Sequence, residues 1–109
     1  MKIVIAGAGE VGSHLAKMLS NEYNDLTMID NDESRLNKLA EVADVIIVQG
    51  KPTSIATLEQ AGVRQADLFI AVSPAQEQDV NLISALLAKN MGAKKVTARI
   101  NNDEYMNYE

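Results

Sequence analysis

The chain alternates short β-branched runs with segments of helical period. Ile3-Val4-Ile5 leads into a glycine cluster, after which Val11, Leu15, Met18 and Leu19 share one helical face. A second apolar run, Leu26-Thr27-Met28-Ile29, precedes Asp32-Glu33-Ser34. There Asp32 is placed to cap a helix that buries Leu36, Leu39 and Ala40. Val45-Ile46-Ile47-Val48 carries no polar residue, as expected of a strand with both faces covered. Thr53 or Ser54 would cap a short helix through Ile55 and Leu58, closed by Gly62. The run 68–72 predicts a fourth strand, and a longer helix then carries Val80, Ile83, Leu86 and Leu87 to an end near Gly92. A fifth strand is expected over 95–100, followed by a polar, acidic tail at 101–109. Five strands separated by helices imply an α/β fold with a parallel sheet and right-handed crossovers. The expected architecture is doubly wound, with strand order 3-2-1-4-5. The domain spans 1–100, and the tail reads as the start of a linker or following segment of a longer protein.

Chemistry concentrates at Gly7-Ala8-Gly9-Glu10-Val11-Gly12, which matches G-x-G-x-x-G. Glycines also serve ordinary turns, but here a strand precedes the pattern and an amphipathic helix follows it, the Rossmann-like context that phosphate binding requires. Gly7 would allow the tight turn, Gly9 would let a pyrophosphate approach the backbone, and Gly12 would let the helix lie close. The amides of this first turn, including those of Ala8, Glu10 and Val11, would face phosphates and be reinforced by the helix dipole. Asp30 closes the second strand, 18 positions beyond Gly12. A carboxylate there accepts ribose hydroxyls and repels a 2′-phosphate, favouring NAD over NADP. Its alternative role is merely to start the following turn. Glu10 is expected to point to solvent and complement the helix dipole. His14 reads as a surface histidine, since no acid or nucleophile accompanies it.

Composition narrows the remaining classes. The 109 residues include no cysteine and one histidine, which removes disulfide frameworks, thiolate metal sites and cysteine nucleophiles. Ten basic against fifteen acidic side chains give a net charge of −5, and aromatics are 4%. Such a chain repels phosphate backbones and offers no stacking platform, so nucleic acid is not an expected partner. No apolar stretch approaches the roughly 20 residues of a membrane span, so direct membrane insertion is not expected. The N-terminus lacks the apolar region of a signal peptide, and the chain is cytosolic in type.

From residue 1 to about 105 the chain resembles the N-terminal nucleotide-binding domain of TrkA-type potassium-uptake regulators, also called KTN or RCK domains. The resemblance rests on MKIVIAGAGEVG, MIDNDESRL at 28–36, and VQG followed by LEQAGVRQADLFIAV. It continues through DVNLISALLAKNMGAKKVTARINNDEY at 79–105. It implies a regulatory subunit, not an enzyme, that binds NAD or NADH, or in relatives ATP, ADP or AMP. Such domains assemble as homodimers and higher rings at the cytoplasmic face, beneath a membrane potassium transporter subunit whose flux they gate. By the same resemblance, Gly7, Gly9 and Gly12 would hold the phosphates, and Asp30 with Asn31 the adenosine ribose. Arg35 would reach the adenine or phosphate side, or remain a solvated helix charge. Ser73 would line the cleft near the second nucleoside. Asn81 would fix the loop or contact ligand, and Arg99 would pair with phosphate, with an acidic partner residue or with a structural carboxylate. After VQG the family usually has an acidic or polar residue, whereas this chain has Lys51, a donor only, which bears on nucleotide preference.

Two other classes compete with the regulator. One is the cofactor half of an NAD-dependent dehydrogenase, which needs a substrate site facing the nicotinamide. The other is a methyltransferase-like fold holding S-adenosylmethionine, against which the full glycine pattern argues. An open fifth strand, with Met91, Tyr105, Met106 and Tyr108 near it, predicts a homodimer through the C-terminal half.

Overall fold

The structure is a computed structural model and describes residues 1–100; the tail, with Tyr105, Met106 and Tyr108, lies outside the described residues. Each β-branched run becomes a strand and each periodic segment a helix. The elements follow as β1 (Lys2–Ala6), α1 (Glu10–Leu19), β2 (Asp25–Asp30), α2 (Glu33–Val42) and β3 (Ile46–Gln49). They continue as α3 (Ile55–Gln60), β4 (Leu68–Ala71), α4 (Gln78–Met91) and β5 (Lys95–Ala98). The strands form one parallel sheet in the order β3-β2-β1-β4-β5, as expected.

Period-two alternation sorts the side chains onto two faces. Ile3, Ile5, Leu26, Met28, Ile70 and Val72 point towards α1 and α2, packing with Ala16, Leu36 and Leu39. Val4, Ala6, Ile29, Phe69 and Ala71 point the other way, packing with Leu58 of α3 and Ala88 of α4. Both layers are therefore needed to cover the central strands. The Asp32 carboxylate caps α2 by accepting from the Ser34 and Arg35 amides, and Ser54 caps α3 by accepting from Thr57. Of the two expected α3 caps, Ser54 is the one that serves.

Several helical faces differ from the expected ones. In α1 the packed face is Gly12, Leu15, Ala16 and Leu19, whereas Val11 is exposed and Met18 is 64% exposed. In α2, Ala40 is exposed beside buried Leu36 and Leu39. In α4 the buried residues are Asn81, Ser84, Ala85 and Ala88, while Ile83 and Leu86 are 48% and 65% exposed. Small residues let α4 approach the sheet closely, so Ile83 and Leu86 turn outwards while Leu87 and Met91 pack at the margin of the core. The third strand is an edge: Val48 is buried but Ile46 is exposed, so its apolar run is not covered on both faces. The fifth strand's ladder ends at Ala98, with one further bond from the Arg99 amide to the Ala71 carbonyl at 2.8 Å.

At the opposite end of the sheet from the glycine loop, Asp67 ties three strands together. Its carboxylate accepts the Lys2 amide at 2.8 Å and pairs with Lys94 Nζ at 3.2 Å. The Lys2 amide first, and then Lys94, hold this carboxyl below the usual carboxylate range. A lowered folded value stabilises the protein above the unfolded value and loses that contribution as pH falls through the folded value. Asp67→Asn should therefore flatten the acid limb of the stability profile below the ordinary carboxylate range, measured by thermal denaturation at a series of acid pH values.

Candidate functional site

The glycine loop is built by contacts that distinguish its three glycines. Gly7 has φ +115°, and a Cβ there would lie 2.7 Å from the Ser73 amide nitrogen and 2.9 Å from the Val72 carbonyl carbon. The loop after β1 thus rests directly on the backbone that follows β4. A Cβ on Gly12 would collide with the Gly7 carbonyl oxygen and lie 2.9 Å from its carbon, so α1 packs against the loop itself. Gly9 is different, because a Cβ there would meet only Pro74 Cγ, at an ordinary 3.9 Å. Nothing within the described residues requires Gly9 to lack a side chain.

Gly9 is also the N-cap of α1, and no side chain caps it. The first intrahelical bond runs from the Ser13 amide to the Gly9 carbonyl at 2.9 Å. The amides of residues 9–12 therefore precede the helical ladder, at the positive end of the helix dipole. Ser13, which sequence reasoning did not single out, donates through Oγ to the Ala8 carbonyl at 3.0 Å and steadies the loop. Glu10 and Val11 are exposed on the outer side of this turn, and His14 is exposed one turn on.

Asp30 ends β2 and is only 8% exposed. One carboxylate oxygen accepts the Ala8 amide and the other the Asp32 amide, each at 2.7 Å. It therefore does begin the following turn, and it also joins that turn to the glycine loop. Each oxygen retains acceptor capacity beyond these bonds.

A cleft of about 830 Å³ opens beside these groups. Asp30, Asn31 and Arg35 line one wall, Lys51 and Thr53 a second, and Ser73 and Val80 a third. It lies at the carboxyl ends of the strands, the position that open α/β sheets use for ligands. Thr53 and Val80 were not among the residues expected here; they arrive because α3 and α4 begin at this edge. Arg35 stands at the cleft rim, its Nε 3.6 Å from Asp32, with both side chains half exposed. An ion pair of that kind contributes at most about 1 kcal/mol, so it leaves the guanidinium able to turn to a ligand.

Asn81 and Arg99 do not line the cleft. Asn81 is 1% exposed, and its side chain is spent on backbone: Oδ1 accepts the Ser73 amide at 2.8 Å, while Nδ2 donates to the Ser73 and Arg99 carbonyls, each at 3.0 Å. It acts on the cleft through Ser73. Arg99 is half-buried and reaches this network through its main chain.

Comparison with known proteins bears on the family and the fold. The TrkA-N domain family matches residues 3–108. The chain is 46% identical over 106 residues to a Trk system potassium uptake protein TrkA homolog from Archaeoglobus fulgidus. It is 40% identical over 107 residues to the Trk system potassium uptake protein TrkA of Haemophilus influenzae. Each match covers 97% of this chain but 23% of the relative, so the chain spans about a quarter of the length of these two proteins. Among solved structures, the AMP-bound Kef CTD of Shewanella denitrificans superposes with a TM-score of 0.78 at 23% identity. That match covers 96% of this chain and 62% of the other. The TrkA-N domain of the inner membrane protein ybaL from Escherichia coli gives 0.62 at 18% identity, covering 96% and 90%. At such identities these two structures show the shared fold. The glycine loop, the carboxylate closing β2 and a family match across nearly the whole chain lead to one conclusion: this chain belongs to the TrkA-N family.

Proposed function

We propose that the chain is a nucleotide-sensing regulatory domain of a Trk-type potassium-uptake system and that it holds NAD or NADH in the cleft. The observation that carries this reading is Gly9: an uncapped helix N-terminus meets the one loop glycine whose missing side chain serves no internal contact. A pyrophosphate seated there would receive the amides of residues 9–12. Asp30 would accept the adenosine ribose, Asn31 and Arg35 would border the adenine side, and Ser73 the second nucleoside. Lys51 on the opposite wall favours ligands that present an acceptor or anionic group to it, so ADP, ATP and AMP compete with the dinucleotide. The AMP-bound Kef neighbour supports an adenine nucleotide in general.

The role is regulation without catalysis. Ligand would bias the arrangement of domains, and hence the flux of a membrane potassium transporter subunit, by its differential affinity for two states. The names of the relatives support that partner. No helix among the described residues is long and apolar enough to cross a membrane, so the domain would meet the membrane through its partner, from the cytoplasmic side. Residues 1–100 are the binding unit in this reading, within a longer regulator.

Calorimetry and thermal shift against NADH, NAD, ATP, ADP and AMP test the reading. A ligand at 100 times its dissociation constant should raise stability by about 2.7 kcal/mol. Gly9→Ala should weaken binding at least about tenfold while leaving stability within about 1 kcal/mol, because its Cβ meets only Pro74 Cγ at an ordinary contact distance. A wild-type protein that responds to no adenine nucleotide would refute the proposal.

Assembly as a homodimer through the C-terminal half belongs to the same proposal. Exposed Ile83 and Leu86 on α4, with partly buried Met91 beyond them, supply an apolar face that a second copy would cover. Leu86→Lys should turn the dimer into a monomer in sedimentation at high micromolar concentration. A monomeric wild-type protein under those conditions would remove the claim.

A further inference from the structure

The two edges of the sheet are finished differently. β5 begins at Lys95 beside Lys94, both exposed, and edge lysines commonly guard a strand against pairing. β3 carries neither a charge nor a proline over Ile46–Gln49, and among the described residues nothing lies on its outer side. Ile46, at its start, is 58% exposed.

The backbone of this edge is equally open. β3 runs parallel to β2 with Val48 opposite Ile29, and the Gly50 amide donates to the Asp30 carbonyl at 3.0 Å. Backbone groups alternate in direction along a strand, so those of Ile46 and Val48 turn to β2 as Gly50 does. Those of Ile47 and Gln49 point outwards, a row of donors and acceptors that an added strand would satisfy. Charge selects the occupant and its direction. Asp44 precedes the strand and Lys51 follows it, both exposed and equally far from its middle. A second β3 laid antiparallel brings the Asp44 of each copy to the Lys51 of the other, whereas a parallel one sets like charges together.

We infer that the β3 edge pairs antiparallel with the β3 edge of a second copy, about a two-fold axis at Ile47. Ile47 then exchanges both backbone bonds with the partner's Ile47. Exposed Ile46 packs across from the partner's Val48 on the face that α3 covers. At each end Asp44 comes within one position of the partner's Lys51. Because Lys51 lines the cleft, the second copy brings a carboxylate to the second wall of the site. A strand of four residues makes a small contact, among the weak interfaces below about 1,200 Å². It is separate from the α4 contact proposed above, since α4 packs on β4 and β5, away from the β3 edge. Copies joined through both surfaces assemble beyond a dimer.

The chain has no cysteine, so a single introduced thiol reports its own neighbour. In this pairing the two Ile47 Cα atoms stand about 5.5 Å apart, within disulfide reach. Ile47→Cys protein at millimolar concentration, oxidised with copper phenanthroline, should therefore form a cross-linked dimer. Gln49→Cys should cross-link at least about tenfold less, because the pairing sets that position roughly 13 Å from its own mate. Adding Asp44→Lys should lower the Ile47→Cys yield about tenfold, and adding Lys51→Glu as well should restore it, since the ion pairs are then reversed and not lost. Ile47 is half-buried, so a second measurement leaves it in place. Leu86→Lys protein, freed of the α4 contact, should sediment as a reversible dimer at millimolar concentration, and adding Ile46→Lys should remove that dimer. The pairing is overturned if positions 47 and 49 cross-link alike, or if Asp44→Lys leaves the yield unchanged. It is overturned as well if Leu86→Lys protein stays monomeric at millimolar concentration, or if Ile46→Lys leaves its dimer intact. Assembly that survives Leu86→Lys at every concentration and is lost with Ile46→Lys would instead remove the α4 contact and keep this one.

Discussion

Gly12→Ala is expected to destabilise the domain by at least about 2 kcal/mol, although alanine is the better helix former by about 1 kcal/mol. The added Cβ would overlap the Gly7 carbonyl oxygen and press on its carbon at 2.9 Å, a backbone group and not the end of a flexible side chain. Gly7 cannot retreat. Its amide is bonded to the Ile29 carbonyl at 2.8 Å, and it already lies against the Ser73 backbone. Relief therefore requires α1 to lift from the loop and from Val72, which forfeits close packing over one face of the sheet. Overpacking of this kind costs typically about 1–3 kcal/mol and more where backbone must move. In a domain near 100 residues, a loss of about 2 kcal/mol lowers the melting temperature by roughly 10 °C. Gly9→Ala is the matched control, with the same chemical change in the same loop and almost no thermal effect. If the two variants melted alike, the division of the loop into packing glycines and a ligand-facing glycine would be wrong.

That division is the part of the site that spacing alone does not contain. The pattern G-x-G-x-x-G locates all three glycines, and the strand before and helix after it give the loop its orientation. Which glycine answers to protein and which to ligand depends on where Val72 and Ser73 lie, 60 positions or more along the chain. The sheet order was legible for a related reason: central strands buried on both faces write nearly unbroken apolar runs, and helices between them force parallel crossovers. The helical faces were less legible. Apolar periodicity counts Ile83 and Leu86 with Leu87 as the packing side of α4, whereas only Leu87 of the three packs on the core and the helix approaches the sheet on Asn81, Ser84, Ala85 and Ala88. Small and polar residues become core when two backbones come close enough to need them, and only the assembled sheet shows that. The edge position of β3 is similar, since Ile46 carries a core-like residue to a strand that, among the described residues, has no neighbour on its outer side.

Asn81→Leu is expected to cost about 4 kcal/mol, because it replaces a buried amide by a side chain of similar size that can satisfy nothing around it. The Ser73 amide and the Ser73 and Arg99 carbonyls would each lose a partner in a buried or half-buried place. Each unsatisfied group of this kind costs about 1–3 kcal/mol. Asn81→Asp separates the two halves of the clamp. A carboxylate still accepts the Ser73 amide, but it sets lone pairs against two carbonyl oxygens, so burial and repulsion raise its folded pKa. A raised folded value gives stability that is fully present below the unfolded value, about 3.9, and lost as pH rises through the folded one. The Asp variant should therefore recover towards wild type on acidification, while the Leu variant stays uniformly weak across the same range. Thermal denaturation at several pH values distinguishes them, and parallel loss in both variants at every pH would show that the donated bonds contribute nothing. Because Ser73 lines the cleft and Arg99 leads the chain out of β5, the same amide joins the third wall of the site to the end of the sheet. Nucleotide affinity in the Asp variant should accordingly follow its stability, falling as pH rises, although residue 81 itself lines no part of the cleft.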